Sequence, residues 1–314
     1  MEVEIFLSNA PYSAGRPSKN DRREAAREKA RQLREEQKKR ERRNKILLGS
    51  GIGIGVLAVI AIVAFVIFTS IRPAGPGPAN MASDGIKLSS DSAGDIAVQT
   101  TAALANDADP VPSAANTDGA VDIRIYLDYL CPYCNQFETT NNEQITQWVA
   151  AGSATYEIHP IAILTSNSLG TKYSNRAANA AACVANSSPD SFLELNSLLF
   201  TNQPKEQTEG LTNAELVDLA TQAGATDPEV AKCINDGTFN AWVTASTARA
   251  LNGPLPNSDV AGVKGTPTVI VNGSQYTGSV TDADEFAAFV LQQSTVTSPT
   301  ATPTPSVTET PAAG

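Results

Sequence analysis

Histidine is almost absent from this chain, which has one histidine, His159, in 314 residues. A Ser-His-Asp hydrolase would have to use that residue, and no Gly-x-Ser-x-Gly sequence surrounds any serine. A catalytic or metal-binding histidine also needs partners, which this sequence lacks. We therefore expect His159 to be a packed or loop residue.

Cysteine is also scarce, and the four cysteines do not form two close pairs. Two residues separate Cys131 from Cys134, Cys183 follows 49 residues after Cys134, and Cys233 follows a further 50 residues on. A zinc site normally needs a second close pair of Cys or His residues, so no metal is expected. An even set of cysteines, all after residue 130, is consistent with an oxidising compartment.

Charge is missing from residues 46–71, a run of 26 residues rich in Ile, Val, Leu and Ala. A bilayer span needs about 20 apolar residues, whereas the apolar region of a cleaved signal peptide has only about 7–15. The run therefore predicts a single uncleaved transmembrane helix in the lipid bilayer. Residues 1–45 hold 14 Lys and Arg against 8 Asp and Glu, so the positive-inside rule leaves them cytoplasmic and exports the rest.

The segments around this run differ sharply in composition. Residues 19–45 are highly charged and contain no aromatic residue or glycine, which indicates a solvated cytoplasmic helix and not a nucleic-acid-binding arm. Residues 72–80 are rich in proline and glycine, and residues 72–82 are predicted to be a linker. The Thr/Pro-rich residues 295–314 are predicted to be a disordered tail. One domain is therefore expected at residues 83–294.

Cys131 and Cys134 lie where a strand pattern changes to a helix pattern. Residues 121–127 alternate with a period of two, and apolar residues from Phe137 onwards recur at helical spacing. The first sulfur of a Cys-x-x-Cys at a helix start meets unpaired backbone N–H groups and the positive end of the helix dipole, which favour the thiolate. Cys131 is thus the candidate nucleophile and Cys134 its resolving partner. A static disulfide or half of a metal site are the alternatives.

Two motifs together carry a family resemblance. The sequence Asp-x-x-Cys-Pro-Tyr-Cys at residues 128–134 and the sequence Gly-Thr-Pro-Thr at residues 265–268 resemble the DsbA-like branch of the thioredoxin superfamily, in its membrane-anchored bacterial type. The resemblance covers about residues 120–294. It implies an α/β thioredoxin-like fold with an all-helical insertion at about residues 171–253, preceded here by the single transmembrane helix.

The same resemblance assigns residues to the site. In that family a threonine or another small residue precedes a cis-proline beside the active-site sulfurs, which carries Thr266 and Pro267 into the site. The chain departs from many relatives at Tyr133, where they have histidine. The buried acid that thioredoxins carry six residues before the first cysteine falls on Ile125. Asp128 is the nearest acid in sequence, and it is either a substitute or a solvated residue at the strand end.

The second half of the domain is predicted to be mostly helical. Residues 191–194 and 212–215 have the pattern of capping boxes, and Asp227 begins another helix. Cys183 and Cys233 fall in separate helices, and in an exported domain a structural disulfide between them is favoured over two free thiols.

A strand, an Asn272-Gly273 turn and a return strand form the strongest hairpin signal in the chain. A last helix is then expected to close the domain. Its Phe286, Phe289 and Val290 are spaced to face the sheet.

These observations predict an extracytoplasmic thiol–disulfide oxidoreductase that introduces disulfides into exported proteins through Cys131 and Cys134. No cofactor is expected. The expected partners are exported proteins with free cysteines and, from the resemblance, a membrane reoxidant of the DsbB or VKOR type. Two alternatives stay open: a reductase or isomerase that is kept reduced, for example in cytochrome maturation, and a non-enzymatic binding module with a structural disulfide.

Overall fold

The computed structural model divides the chain into two units, Met1–Arg72 and Pro73–Gly314. In the first unit the described residues are helical and exposed. The predicted transmembrane run at 46–71 and the tail from residue 296 lie outside the described residues. Among the residues that are described, no helix is both long and apolar enough to cross a membrane. The structure describes residues 28, 29, 31, 34–36, 38–40, 76–106, 108–117 and 119–295.

The domain is built on a six-stranded sheet with the strand order β2-β1-β4-β3-β5-β6. β3 and β4 run parallel, and every other neighbouring pair is antiparallel. The predicted hairpin at Asn272-Gly273 is confirmed as the β5–β6 connection. The strands are β1 (Ile86–Ser90), β2 (Ile96–Val98), β3 (Val121–Leu127), β4 (Ala154–Pro160), β5 (Thr268–Val271) and β6 (Ser274–Tyr276).

The two central strands are connected by helix α1 (Pro132–Ala150). All seven residues of β3 and all seven of β4 are buried, as expected for parallel strands covered on both faces. β3 and β4 pair in parallel, with α1 as the crossover helix between them. Because side chains alternate across a strand, Ile123 and Ile125 belong to the main core, whereas Tyr126 packs in a second apolar cluster with Ile270.

Five helices separate β4 from β5, and a last helix, α7, follows β6. The disulfide between Cys183 and Cys233 joins α2 to α5 across a Cα–Cα distance of 5.8 Å. Helix α2 is rich in alanine and buried over most of its length, so neighbouring helices pack closely around it. The mixed α/β architecture expected from the sequence is confirmed. The helices are α2 (Tyr173–Ser187), α3 (Phe192–Thr201), α4 (Asn213–Gln222), α5 (Pro228–Asp236), α6 (Asn240–Asn252) and α7 (Ala283–Thr295).

One predicted capping box is confirmed and the other is wrong. The Thr212 hydroxyl accepts from the Glu215 N–H at 3.2 Å, and the Glu215 carboxylate accepts from the Thr212 N–H at 2.7 Å. Ser191 makes no capping hydrogen bond, because it is the last residue of a 3₁₀ turn that begins at Pro189 and its backbone is already helical. Asp227 caps α5 as expected.

The predicted linker at residues 72–82 is too long, because the chain joins the domain from Gly77 onwards. A Cβ at Gly77 would lie 3.3 Å from Nε1 of Trp242. The Asn80 amide donates to the carbonyl of Ala185 at 2.8 Å, and Met81 is 1% exposed. The residues from Gly77 onwards therefore lie against the domain surface.

Candidate active site

Cys131 is the N-cap of helix α1, and Pro132 occupies its first turn. Proline is suited to that position because the N–H that it lacks would have no partner in the helix. The backbone N–H groups of Tyr133 and Cys134 help to lower the pKa of the Cys131 thiol. The strand-to-helix junction therefore places this sulfur at the positive end of the helix.

The two cysteines have opposite electrostatic surroundings. A hydrogen bond from Cys134 is the main influence that lowers the pKa of Cys131 to about 6, with further contributions from Thr266 and from backbone N–H groups. Burial and the hydrogen bond to Cys131 raise the pKa of Cys134 well above its usual value. Cys131 retains 5% exposure and Cys134 has none. Both are free thiols, so the pair has one reactive thiolate and one protonated thiol behind it.

The predicted second motif lies beside the first. The Cys131 sulfur is 3.2 Å from the carbonyl oxygen of Thr266, and the Thr266–Pro267 peptide bond is cis. This contact arises because β5 pairs with β3, so the loop before β5 meets the loop after β3 at one sheet edge. The structure thus brings together Cys131, Cys134, Thr266 and Pro267. The Cys183–Cys233 disulfide lies in the helical segment and does not join them.

The helical segment also holds the cysteine loop in place. The side-chain amide of Gln203 donates to the carbonyls of Tyr129 and Cys131 at 3.1 and 3.0 Å. The Asn135 amide donates to the carbonyl of Phe200 at 2.6 Å. Gln203 was not predicted from the sequence, because a glutamine 72 residues after Cys131 carries no local signal.

The sequence allowed two roles for Asp128, and that of a solvated residue at the strand end is wrong. It is fully buried, and its carboxylate accepts from the N–H groups of Leu130 and Leu164, both at 2.9 Å. Burial raises its pKa to about 6. Its backbone N–H acts against the rise in the pKa of Cys134. Tyr133, by contrast, is 62% exposed beside Cys131.

A second buried acid, Glu138, was also missed by sequence analysis. It lies on α1 four residues after Cys134 and is 3% exposed. Its carboxylate accepts from the Tyr156 hydroxyl at 2.8 Å and from the Asn196 amide at 3.3 Å. Burial raises its pKa to about 7. The four-residue spacing, which places both side chains on one face of the helix, was the available signal.

His159 is packed in the sheet, as the sequence suggested. Its ring stacks on Tyr126 with centroids 4.4 Å apart, and its Nε2 lies 3.4 Å from the Glu157 carboxylate. Glu157 is also bound by Arg124, so these polar groups form part of a buried network away from the dithiol. In the described part of the chain no cluster of three or more His, Cys, Asp or Glu residues could hold a metal.

The sequence model of the thioredoxin family matches residues 112–290. DsbA from Mycobacterium tuberculosis is 28% identical, with 67% of this chain and 93% of that chain covered and a TM-score of 0.50. DsbG, a disulfide bond oxidoreductase from the same organism, is 32% identical, with 55% and 77% covered and a TM-score of 0.47. No curated protein matches the chain.

BdbD from Bacillus subtilis is a further similar structure. It is 22% identical, with 71% of this chain and 99% of that chain covered and a TM-score of 0.48. The structural neighbours of this chain are DsbA-type thiol–disulfide oxidoreductases.

Proposed function

Because this chain belongs to the thioredoxin family, we propose that it is a thiol–disulfide oxidoreductase that works through Cys131 and Cys134. The observation that carries the proposal is the contrast within this pair. Cys131 lies at a helix start beside the Thr266 carbonyl with a lowered pKa, and Cys134 lies behind it with a raised pKa. A static disulfide needs no such asymmetry, whereas thiol–disulfide exchange depends on it.

The proposed reaction oxidises substrate dithiols. A substrate thiolate attacks the Cys131 sulfur of the oxidised pair, the Cys131–Cys134 bond breaks, and Cys134 leaves with the electron pair. A second substrate thiolate then attacks the substrate sulfur of the mixed disulfide and releases Cys131 as a thiolate. The substrate loses two electrons and gains a disulfide, and the pair is reduced to the dithiol. The low pKa of Cys131 makes it a good leaving group in the second step.

The oxidising direction is supported by the same electrostatics. An interaction that stabilises the Cys131 thiolate stabilises the reduced form of the pair, which makes the disulfide a stronger oxidant. Thr266 and Pro267 border the sulfur, so an extended substrate segment would pair with the backbone of Thr266 in a groove shaped by Pro267.

The proposed location is outside the cytoplasm, with the chain anchored through residues 46–71. The basic segment 1–45 before the apolar run supports this orientation. The Cys183–Cys233 disulfide is the type of bond that persists in oxidising compartments, and we propose that its role is structural. Exported proteins with free cysteines would be the substrates, and a membrane protein of the DsbB or VKOR type would reoxidise the dithiol.

The experiment is single-turnover oxidation of a reduced peptide that contains two cysteines. The oxidised protein should convert one equivalent of peptide to its disulfide, and Cys131→Ser protein should convert none. The matched control is protein with Cys183 and Cys233 both changed to Ser, which should retain the reaction. Wild-type protein that reduces peptide disulfides but does not form them would instead support the reductase alternative.

A further inference from the structure

The domain is acidic, yet a few of its positive charges have no ion-pair partner. Residues 46–314 hold nine Lys and Arg against 25 Asp and Glu. Eight of the nine basic residues belong to the described part of the chain, and Arg176 among them packs over the Tyr173 ring at 5.8 Å. Four form ion pairs, namely Lys87, Arg124, Lys232 and Arg249. Three exposed lysines are left without an ion pair among the described residues: Lys172, Lys205 and Lys264.

Two of these lysines lie on loops near the dithiol, and each has an acid nearby. Lys205 belongs to the loop that binds the Cys131 carbonyl through Gln203, and the next residue after Lys205 is an acid. The hydroxyl of the residue before Lys172 donates to the backbone carbonyl of Glu209, another exposed acid. The neighbouring negative charges therefore weaken the field of both lysines.

Lys264 differs from the other two because no acid is next to it in the sequence. It lies two residues before Thr266, whose carbonyl oxygen is 3.2 Å from the Cys131 sulfur. The nearest acid in sequence is Asp259, and its N–H donates to the carbonyl of Gly273, in the turn at the other end of β5. Lys264 therefore brings a positive charge to the dithiol end of the sheet without a neighbouring negative charge on its own loop.

The backbone on both sides of Lys264 is held by hydrogen bonds. Val263 is 1% exposed, and its N–H donates to the Ala250 carbonyl in α6 at 2.9 Å. The Gly265 carbonyl accepts from the Thr268 hydroxyl at 2.7 Å. Lys264 itself is exposed between these two anchors. Its charge is thus attached at a fixed place beside the dithiol, while its side chain is free to bind a partner.

We propose that Lys264 selects substrates by binding an acidic residue close to the reacting cysteine of an extended substrate segment. The proposal rests on the proposed oxidoreductase function, in which such a segment pairs with the backbone of Thr266. Two residues of chain span at most about 7 Å, so Lys264 begins within that distance of Thr266. Its ammonium group, on a flexible four-carbon stem, can reach a carboxylate a few positions from the substrate cysteine. The preferred substrates are exported segments with Asp or Glu beside a cysteine.

The overall negative charge of the domain would favour basic substrates, and distance decides between the two effects. At physiological ionic strength the Debye length is about 8 Å, so more distant surface charges are largely screened. Asp128 and Glu138 are buried and cannot contact a substrate segment. Lys264 therefore sets the charge preference next to the reacting cysteine at physiological salt.

The test is the rate constant for oxidation of short peptides by the oxidised protein at physiological salt. Three peptides of equal length contain two cysteines and differ only in the residues beside them, which are Glu, Gln or Lys. Wild-type protein should oxidise the Glu peptide about twofold to fivefold faster than the Gln peptide, as one exposed ion pair allows. Lys264→Gln should abolish this preference, Lys264→Arg should keep it, and Lys264→Glu should reverse it in favour of the Lys peptide.

The matched control is Lys232→Gln, which removes an exposed lysine that is paired with Asp236 on α5. It changes the net charge by the same amount and should keep the wild-type preference. The comparison between proteins also cancels the effect of the flanking residues on the peptide thiols themselves.

Four outcomes would overturn the inference. They are a wild-type protein without a charge preference, a wild-type preference for the Lys peptide, an unchanged preference in Lys264→Gln, and an equal loss of preference in Lys232→Gln. The last of these would assign the preference to net charge and not to the position of Lys264. Wild-type protein that oxidises none of the three peptides would refute the proposed function, and the inference with it.

Discussion

The sulfur of Cys131 lies 3.2 Å from the carbonyl oxygen of Thr266, a residue 135 positions further along the chain. The pairing of β3 with β5 creates this contact, because it brings the loops at the ends of these strands to one edge of the sheet. The contact places a backbone carbonyl group beside the reactive sulfur. Cys134 lies behind Cys131 and is fully buried.

The reactivity of Cys131 should titrate well below that of an ordinary thiol. We expect alkylation of the reduced protein by iodoacetamide to have a midpoint near pH 6, because Cys134 and the helix start stabilise the thiolate. In Cys134→Ala protein, which lacks the main hydrogen bond to the sulfur, the midpoint should rise towards about 8.5. A midpoint near about 8.5 in the wild type would show that Cys131 is an ordinary thiol, and this would favour a non-enzymatic binding module.

Removal of the second cysteine pair should affect stability and not chemistry. The Cys183–Cys233 disulfide spans 50 residues, and a crosslink of this length contributes about 4 kcal/mol by the chain-entropy relation. Protein with both cysteines changed to Ser should therefore unfold at lower denaturant concentration. Its rate of peptide oxidation should be unchanged under conditions where it is folded. Loss of that activity in folded protein would assign this pair to electron transfer.

The domain should become less stable as the pH rises, because the buried Glu138 carboxyl group loses its proton. Its pKa is about 7 in the folded protein and about 4.3 in an unfolded chain. The folded state therefore binds the Glu138 proton more tightly than the unfolded chain does. The contribution of this proton to the unfolding free energy is complete below pH 4 and is lost as the pH rises through 7. Between pH 4.5 and 8 the wild type should lose roughly 3 kcal/mol more unfolding free energy than Glu138→Gln. Denaturant unfolding of both proteins at several pH values measures this difference. The same change of unfolding free energy with pH in the two proteins would contradict the prediction.

Gln203 should matter for the shape of the cysteine loop. Gln203→Ala removes the donor to the carbonyls of Tyr129 and Cys131, which should cost about 1–3 kcal/mol of stability and slow peptide oxidation. Asn202→Ala, which changes an exposed neighbour that bonds only within its own helix end, is the control. Equal stability and equal rates in the two variants would show that the loop holds its shape without Gln203.

The sequence predicted much of this site because the decisive signals are local. The alternation of residues 121–127, the proline after Cys131 and the Asn272-Gly273 turn each determine their own backbone, and the structure has the corresponding strand, helix start and hairpin. The proximity of Thr266 to Cys131 came from a family resemblance, since no physical rule for an isolated sequence joins positions so far apart.

The features that were missed depend on packing between distant segments. Gln203 reaches the cysteine loop only because α3 packs against α1, and the residues after Gly77 are fixed by contacts with Trp242 and Ala185. Asp128 was expected to be solvated or to substitute for a missing acid. Its burial depends on the segment around Leu164, which closes over it. Such contacts have no signature in composition or periodicity.

The reduction potential of the Cys131–Cys134 pair tests the central claim most directly. Equilibration of the protein with mixtures of reduced and oxidised glutathione, followed by mass spectrometry of the alkylated thiols, gives this potential. An oxidase with a stabilised Cys131 thiolate should have a value less negative than about −200 mV. A value near about −270 mV, in the range of thioredoxin, would contradict the account and indicate a reductase.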